Sequence, residues 1–359
     1  MKRRILFIPG READYIRNRV VIAALSSHFD VTVCTTRART TMGRTVSSLS
    51  KFLARRPDYD LCFAGFYGQP IAIALSLLQH QPIVLDAYVS TYDTLCHDRC
   101  WFRPASAMGR AAYWLDSRGC RSADHVITDT DAHARYFADT FNVPSAKLTT
   151  VYVGTDEDLF YPRTELSAAG GSTHVFYYSG FLPLHGTEVI IKAAALLRDR
   201  PDIHFTLGGD GRRRRRLEQL IDDLDLNNVA LVGWIPLERL PEYINQASIC
   251  LGGHFSTVPK AGRVIPTKVF QFVAMRKPTI VGDSPAMREL FVPREHVWTV
   301  KMGSHEALAE AIRTLADDDG LRQRLAAGGY EVYQQELTTA ALGDRLTLVV
   351  EEALCGSAS

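Results

Sequence analysis

No apolar stretch in the 359 residues approaches the ~18 to 20 that a membrane-spanning helix needs, so a chain crossing a bilayer in that way is excluded. Charge of one sign is missing too. The 41 Lys plus Arg stand against 40 Asp plus Glu, a formal net charge of +1, which removes the overall field of a dedicated nucleic-acid binder. Seven cysteines, an odd and scattered set, do not make a disulfide framework and read as reduced thiols of a cytoplasmic protein. Their one local cluster, Cys96, Cys100 and Cys120 with His97 and Asp98, lacks the second paired spacing of a zinc site, and no metal is expected. The basic N-terminus MKRRILFIPG has only Ile5 to Ile8 as an apolar core before Pro9-Gly10, short of the ~7 to 15 residues of an export signal. Neither a G-x-G-x-x-G turn nor a Walker sequence follows any strand-like run, which sets aside dinucleotide-dependent dehydrogenases and P-loop enzymes.

What is present is a repeated alternation. Apolar runs of four to six residues alternate with longer stretches of helical period, the pattern of parallel sheets covered by helices. Strands are expected at 5–9, 31–35, 61–65, 82–86, 125–129 and 148–154, with helices at 19–28, 71–78 and 132–140. The linker-like YPRTELSAAGGS (161–172) follows, and the alternation restarts with strands at 174–180, 204–211, 229–234, 248–253 and 278–283. Helices of this half are expected at 187–199, 213–224, 237–246, 268–275 and 305–315. The fold class is therefore α/β, two doubly wound, Rossmann-like domains facing a cleft: residues 1–160, to which a last helix within 341–359 returns, and 161–340. Ligands of such sheets bind at strand carboxyl ends, which makes the cleft the expected active site.

Glycines stand where the second half's strands end, at Gly180, at Gly209 and Gly211, and at Gly252-Gly253, and glycine there lets backbone approach a ligand closely. Farther on, Pro266 and Thr267 open a helix beside Lys260, Arg263 and Lys268. Free N–H groups plus basic side chains suit a diphosphate; equally, Thr267 caps the helix and the lysines are solvated. In the first half, Asp86, Ser90, Asp93 and Arg99 follow one strand and Arg11, Tyr15 and Arg17 another. Both groups read as acceptor contacts or as solvated loops. The basic run Arg212 to Arg216 spreads around its helix, as a solvated face or as a patch against the inner face of a membrane.

At these residues the chain resembles the GT-B glycosyltransferases of glycosyltransferase family four. YYSGFLPLHGTEVIIKAAALL, HFTLGGDG, VALVGWIPLERLPEYINQASICLG and IPTKVFQFVAMRKPTIVGDSPAMREL resemble, in order, the family's nucleotide-sugar domain. VTVCT, DHVITDTDAHARYF and VYVGTDEDLFYP are similar to its acceptor domain and interdomain turn. The resemblance implies retaining transfer of a sugar, a hexose foremost, from a nucleoside diphosphate to a hydroxyl acceptor, polar or glycan- or lipid-linked. It implies no cofactor or bound metal and no nucleic-acid partner. It places the donor near Gly180, Phe181, Gly209, Gly211, Trp234, Ile235, Lys260, Pro266, Thr267 and Gln271, and the chemistry at Asp86, His185, Arg263 and Lys268. The departures are sharp. The family's Glu-x7-Glu falls on Arg263 and Gln271, its phosphate-binding Arg and Lys on Phe181 and His185, and its acceptor-domain histidine on Asp86. Lys260, Arg263, Lys268 and a protonated His185 are the substitutes this implies for the lost charge. Two alternatives are a nucleotide-sugar epimerase or hydrolase and a non-catalytic binding subunit on the same scaffold.

Overall fold

The computed structural model describes residues 2–36, 38, 40–55, 57–163 and 171–356. They form two compact units, the first running to Gly154 and resuming at Leu337, the second covering Thr155–Glu336. These divisions come a few residues before the boundaries read at 160 and 340. The turn after Gly154 explains the first: the N–H groups of Leu159 and Phe160 both bond back to the Asp156 carbonyl, and Phe160 is buried, so this segment closes on itself. Of the expected linker, residues 164–170 lie outside the described residues.

In unit 1 the order is β1 (Arg4–Ile8), α1 (Ile16–His28), β2 (Asp30–Val33), α2 (Thr41–Arg55), β3 (Leu61–Ala64), α3 (Gln69–Leu78), β4 (Ile83–Asp86), α4 (Ala107–Ser122), β5 (His125–Thr128), α5 (Asp131–Phe141) and β6 (Leu148–Thr150). All strands are parallel, in spatial order β2-β1-β3-β4-β5-β6. The central strands are buried along their whole length, as a sheet covered on both faces requires. The expected strand 148–154 ends at Thr150 because the carbonyls beyond it leave the ladder: those of Val151 and Tyr152 accept from the Arg17 guanidinium instead.

Unit 2 contains β7 (Thr173–Ser179), α6 (Thr187–Ala195), β8 (Ile203–Gly209), α7 (Arg214–Asp223), β9 (Val229–Gly233), α8 (Leu240–Gln246), β10 (Ile249–Gly253), α9 (Thr267–Ala274), β11 (Thr279–Gly282), α10 (Pro285–Leu290), β12 (Trp298–Val300), α11 (His305–Asp317) and α12 (Asp319–Val332). Its sheet is also parallel, ordered β12-β11-β10-β7-β8-β9. The last helix, α13 (Thr339–Gly356), packs on α1 in unit 1. Hydroxyl and carboxylate caps start five helices: Ser106, Thr130, Ser284, Ser304 and Asp318 each accept an N–H from the first turn.

In both sheets the chain reverses direction beside its first strand. β1 lies between β2 and β3, and β7 lies between β8 and β10. Those reversals open a crevice at the carboxyl ends of β1/β3 and of β7/β10, where open parallel sheets take their ligands.

Candidate functional site

At the unit 2 reversal, β7 ends in Ser179-Gly180 and β10 in Gly252-Gly253. A Cβ added to Gly180 would meet nothing within 4 Å, so this turn is open to a ligand. Gly209 and Gly211 differ from that expectation. Both have positive φ, 138° and 151°, and their Cβ positions fall 1.9 Å from the Ser179 carbonyl oxygen and 2.5 Å from that of Gly180. They are glycine so that the β8 end can lie against the β7 turn, and ligand approach is not the reason. Phe181 is likewise corrected: its side chain is in the unit 2 core, with the backbone at φ 48° and its N–H on Ser179 Oγ. Ile235 is buried against Gly208, while Trp234 stands exposed.

Helix α9 follows β10, the neighbour of β7 in the sheet. Pro266 occupies the N-cap position with no side-chain acceptor for the first-turn N–H groups, so that Thr267 is the first helical residue rather than the cap. Lys268, the next residue, is buried, and no carboxylate pairs with it among the described residues. Its Nζ lies 5.1 Å from the centre of the Tyr177 ring and 5.6 Å from that of Tyr178. Burial pulls its pKa down to about 7. His185 and His254 stack beside it with ring centres 5.6 Å apart and planes 7° from parallel. His254 is buried and His185 partly so, and burial followed by the neighbouring positive charge lowers both imidazoles well below the usual histidine range. That direction runs against a protonated His185 as the substitute charge. From the sequence alone His254 reads as an ordinary surface or core histidine; the signal was its position directly after Gly252-Gly253.

Two further expectations change. Arg263 precedes α9, at the end of the 3-10 turn Pro259–Gly262 that holds the buried Lys260, and does not share the helix with Lys268 and Gln271. Gln271 is buried, and its amide oxygen accepts from the Tyr178 hydroxyl. The Arg212–Arg216 run spends charge on its own unit, Arg213 and Arg216 beside Glu188 and Arg214 on Glu218.

In unit 1 the largest correction concerns Asp86 and Arg17. Both are fully buried, and the guanidinium grips the carboxylate at two points, Nε to Oδ2 at 2.8 Å and Nη2 to Oδ1 at 3.1 Å. Its remaining arm donates to the Val151 and Tyr152 carbonyls, each at 2.9 Å. This pair ties α1, the end of β4 and the chain after β6 together. With both side chains engaged in this way, the pair reads as part of the framework. Ser90 is similarly occupied: its hydroxyl donates to Asp116 Oδ2 at 2.7 Å and accepts the Asp93 N–H at 3.0 Å, with all three residues buried. Burial raises the Asp116 carboxyl to about 6. Arg99 lies well away in character, exposed and stacked on the Trp101 ring.

Arg11 and Tyr15 stand at the β1/β3 reversal. The Arg11 guanidinium covers the Tyr15 ring at 5.0 Å, and Tyr15 packs on Phe66, which also meets Tyr67 and Tyr88. Phe66, Tyr67 and Tyr88 were missed in the sequence, although GFYG directly after a strand was a visible cue. Gly10 allows the loops to meet, since its Cβ would lie 2.1 Å from the Tyr67 carbonyl oxygen. Arg11 and Glu12 also line a cavity of about 350 Å³ with Thr35, Thr36 and Arg44. A cavity of about 290 Å³ among Ser248, Lys277 and Arg322 sits at the amino-terminal edge of the unit 2 sheet, the wrong edge for a ligand of this topology. No group of three His, Cys, Asp or Glu residues that could hold a metal occurs among the described residues. Nor is any described helix long and apolar enough to cross a membrane.

Residues 6–154 match the family model of a glycosyl transferase 4-like domain, and residues 163–332 that of glycosyl transferases group 1. Alpha-D-kanosaminyltransferase of Streptomyces kanamyceticus is 25% identical over 251 residues, 67% of this chain and 64% of that one. The lipopolysaccharide core biosynthesis glycosyltransferase LpsD of Rhizobium meliloti is 27% identical over 183 residues, 51% of this chain and 50% of that one. The chain thus spans about half to two thirds of the length of these curated relatives. Among solved structures, Anabaena HepE in complex with UDP and glucose superposes with a TM-score of 0.74 at 19% identity, over 97% of this chain and 99% of that one. Sucrose-phosphate synthase from Thermosynechococcus elongatus does so with a TM-score of 0.78 at 17% identity over the whole of both chains. Two six-stranded parallel sheets, each reversing beside its first strand, and two glycosyltransferase domain models matched in chain order lead to one assignment: the chain belongs to the glycosyltransferases of GT-B fold.

Proposed function

We propose that unit 2 binds a nucleoside diphosphate sugar and that the chain transfers the sugar, a hexosyl group, to a hydroxyl of a polar, glycan or lipid-linked acceptor held by unit 1, with retention of configuration. The observation that carries this reading is Lys268, buried without a carboxylate in the first turn of α9, its Nζ over the rings of Tyr177 and Tyr178, the residues that lead into the open Gly180 turn. A diphosphate supplies the anion that such a site lacks, and the first-turn N–H groups add donors at no reorganisation cost. During transfer the bond from the anomeric carbon to the diphosphate oxygen breaks and its electron pair leaves with the phosphate. The acceptor oxygen forms the new bond on the same face, and its proton passes to the departing phosphate. Lys268 and the helix start stabilise the charge that grows there, so no metal is assigned a role and Asp86 is given none in the chemistry.

On the acceptor side Arg11 and Tyr15, with Phe66 and Tyr67, offer ring faces and a guanidinium suited to a hydroxylated ring. The relatives bear glycosyltransferase names, and HepE has been solved with UDP and glucose, which makes uridine diphosphate the first ligand to try. A thermal-shift series of nucleoside diphosphates with chelator present tests the donor half. A ligand at a hundredfold excess over Kd stabilises the fold by about 2.7 kcal/mol, so one base should separate from the rest. No response to any of them would end the proposal. Product NMR then reads the anomeric configuration, and sugar released into water at the same rate with and without acceptors would identify a hydrolase instead.

A further inference from the structure

One carboxylate in unit 1 holds two turns of the chain at once. Asp116 of α4 is fully buried, and its donors come from the segments that follow β3 and β4. Ser90 Oγ donates to Oδ2 at 2.7 Å and the Tyr92 N–H to the same oxygen at 2.8 Å, while Thr91 turns its N–H and hydroxyl to the carboxylate. Gln69 Nε2 donates to Oδ1 at 3.3 Å and also to the Val89 carbonyl at 3.0 Å, so one amide bridges the carboxylate to the turn after β4.

These two turns carry the aromatic rings of the β1/β3 reversal. Phe66 and Tyr67 lie just before Gln69, and Tyr88 just before Val89, with the Phe66 and Tyr88 ring centres 5.1 Å apart. Tyr67 has φ 62°, a strained conformation for a bulky residue that persists only where its surroundings hold it. Gln69, the first residue of α3, is held from α4: a Cβ added to Gly119 would fall 2.7 Å from the Gln69 Cβ.

We infer that Asp116 is a positioning residue whose ionised carboxylate fixes the turns after β3 and β4, and with them the ring faces of Phe66, Tyr67 and Tyr88 that receive the acceptor. The inference rests on the acceptor reading of this cluster given above. The geometry requires the charge. A proton on Oδ1 would face Gln69 Nε2, donor against donor. The amide then has to turn, presenting to the new O–H its Oε1, which is buried without a partner, and the Val89 carbonyl loses its donor and meets an oxygen instead. Burial raises the Asp116 carboxyl to about 6, which sets the pH of this change. Tyr67, which also faces Arg11 and Arg99, and Cys120, which also faces Lys147, are the titratable groups turned to Asp116, and burial raises both, away from this range. Asp93 shares the Ser90 hydroxyl and His97 packs on the Tyr92 ring, so these two serve as controls.

Two readouts need no acceptor, and on the unaltered chain they need no variant. Carbon-13 tyrosine NMR, assigned with Tyr67→Phe and Tyr88→Phe, should show both ring signals moving with a midpoint near pH 6. The Tyr92 amide should exchange with solvent about tenfold faster, relative to its intrinsic rate, at pH 5 than at pH 7. Asp116→Asn, neutral at every pH, should give the pH 5 behaviour throughout, and Asp93→Asn and His97→Gln should keep the titration. Melting separates this from acid unfolding. The Asp116 carboxyl lies above its ordinary 3.8, so its penalty on the fold is full above pH 6 and is relieved as pH falls towards 3.8. The melting temperature of Asp116→Asn relative to the unaltered chain should therefore be higher at pH 7 than at pH 4. Methyl glucoside, a ring-bearing probe titrated by saturation-transfer NMR, should bind about tenfold more weakly at pH 5 than at pH 7, and weakly at both in Asp116→Asn. Ring signals and a Tyr92 amide that keep their titration in Asp116→Asn, or lose it in a control variant, would overturn the inference, as would probe binding that ignores pH while the rings move. No probe binding at either pH, with the rings moving as expected, would keep the positioning role of Asp116 and strike the acceptor reading.

Discussion

Arg17 in unit 1 and Lys268 in unit 2 are buried cations at the carboxyl edges of their sheets, and these two are handled in opposite ways. Arg17 in unit 1 has every arm engaged, two on Asp86 and one on a pair of carbonyls. Lys268 in unit 2 has two tyrosine rings and two neutral histidines around it and no carboxylate. A paired buried cation is part of the framework. An unpaired one is costly until an anion arrives, and the cost is the mark of a binding site.

The comparison breaks most visibly at Arg17. Arg17→Met should leave a buried Asp86 carboxylate without its partner and lose about 3 to 5 kcal/mol, roughly 10 °C in melting temperature, read by calorimetry. Adding Asp86→Leu should recover most of that loss. If Arg17→Met instead kept its melting temperature and lost only acceptor-dependent turnover, Arg17 would return to the acceptor site.

Lys268→Met should behave in the opposite sense. Removing an uncompensated charge from the core should raise the stability of the free protein, while a nucleoside diphosphate should bind about 10- to 100-fold more weakly, since a charge-assisted contact to an anion is worth about 1.5 to 3 kcal/mol. Calorimetric titration reads the second effect and thermal melting the first. Weaker binding together with a lower melting temperature would make Lys268 a framework residue like Arg17.

A smaller effect lies in pH. The folded Lys268 has its pKa near 7 against 10.5 ordinarily, because burial disfavours the ammonium. The unfolded chain therefore holds a proton that the folded chain gives up. This penalty on stability is full below pH 7 and is relieved as pH rises from about 7 towards 10.5. Diphosphate binding needs the ammonium and should weaken over the same rise. The groups facing Lys268 shift away from this window: burial lowers His185 and His254 well below the usual histidine range and raises the Tyr177 hydroxyl to about 12. Lys260 is the further cation beside His254. Melting curves and titrations from pH 6 to 9 should show the two opposite slopes in this chain and neither in Lys268→Met.

The smallest expected change is at Arg11, exposed over Tyr15. An exposed cation–π contact contributes about 0.5 to 1 kcal/mol, so Arg11→Ala should raise the acceptor KM roughly two- to fivefold and leave diphosphate affinity unaltered. A loss of diphosphate binding would move Arg11 out of the acceptor role.

Much of the fold was legible because parallel strands buried on both faces must be short and apolar, and eleven of the twelve were found in place, with β12 (WTV) too short to stand out. Helices α2, α4, α10 and α12 were missed. The α4 segment interrupts its apolar period with Gly109 and Gly119, whose missing side chains let Arg103 and Gln69 approach, and α10 has only six residues, whereas the spacing of Met42, Val46, Leu49 and Leu53 in α2 was there to be read. Among the candidate site residues, the basic helix start with Lys268 was legible from IPTK, and His254 and Phe66 were not, because a histidine or phenylalanine after a strand has the same local pattern in a core as in a site.

By itself the sequence determined the α/β class, the two repeats of strand and helix, the return of a last helix as an expectation, and a basic helix start after Pro266. These are properties of neighbours along the chain, set by periodicity, turn chemistry and the fixed backbone of proline. Which charges are spent and which remain open was decided only by tertiary structure. Asp86 and Arg17 are 69 residues apart and Tyr178 and Gln271 are 93 apart, and nothing local to either member announces the other. Strand order made the same kind of decision, since placing β10 beside β7 is what brings the Gly180 turn, His254 and Lys268 to one edge of one sheet.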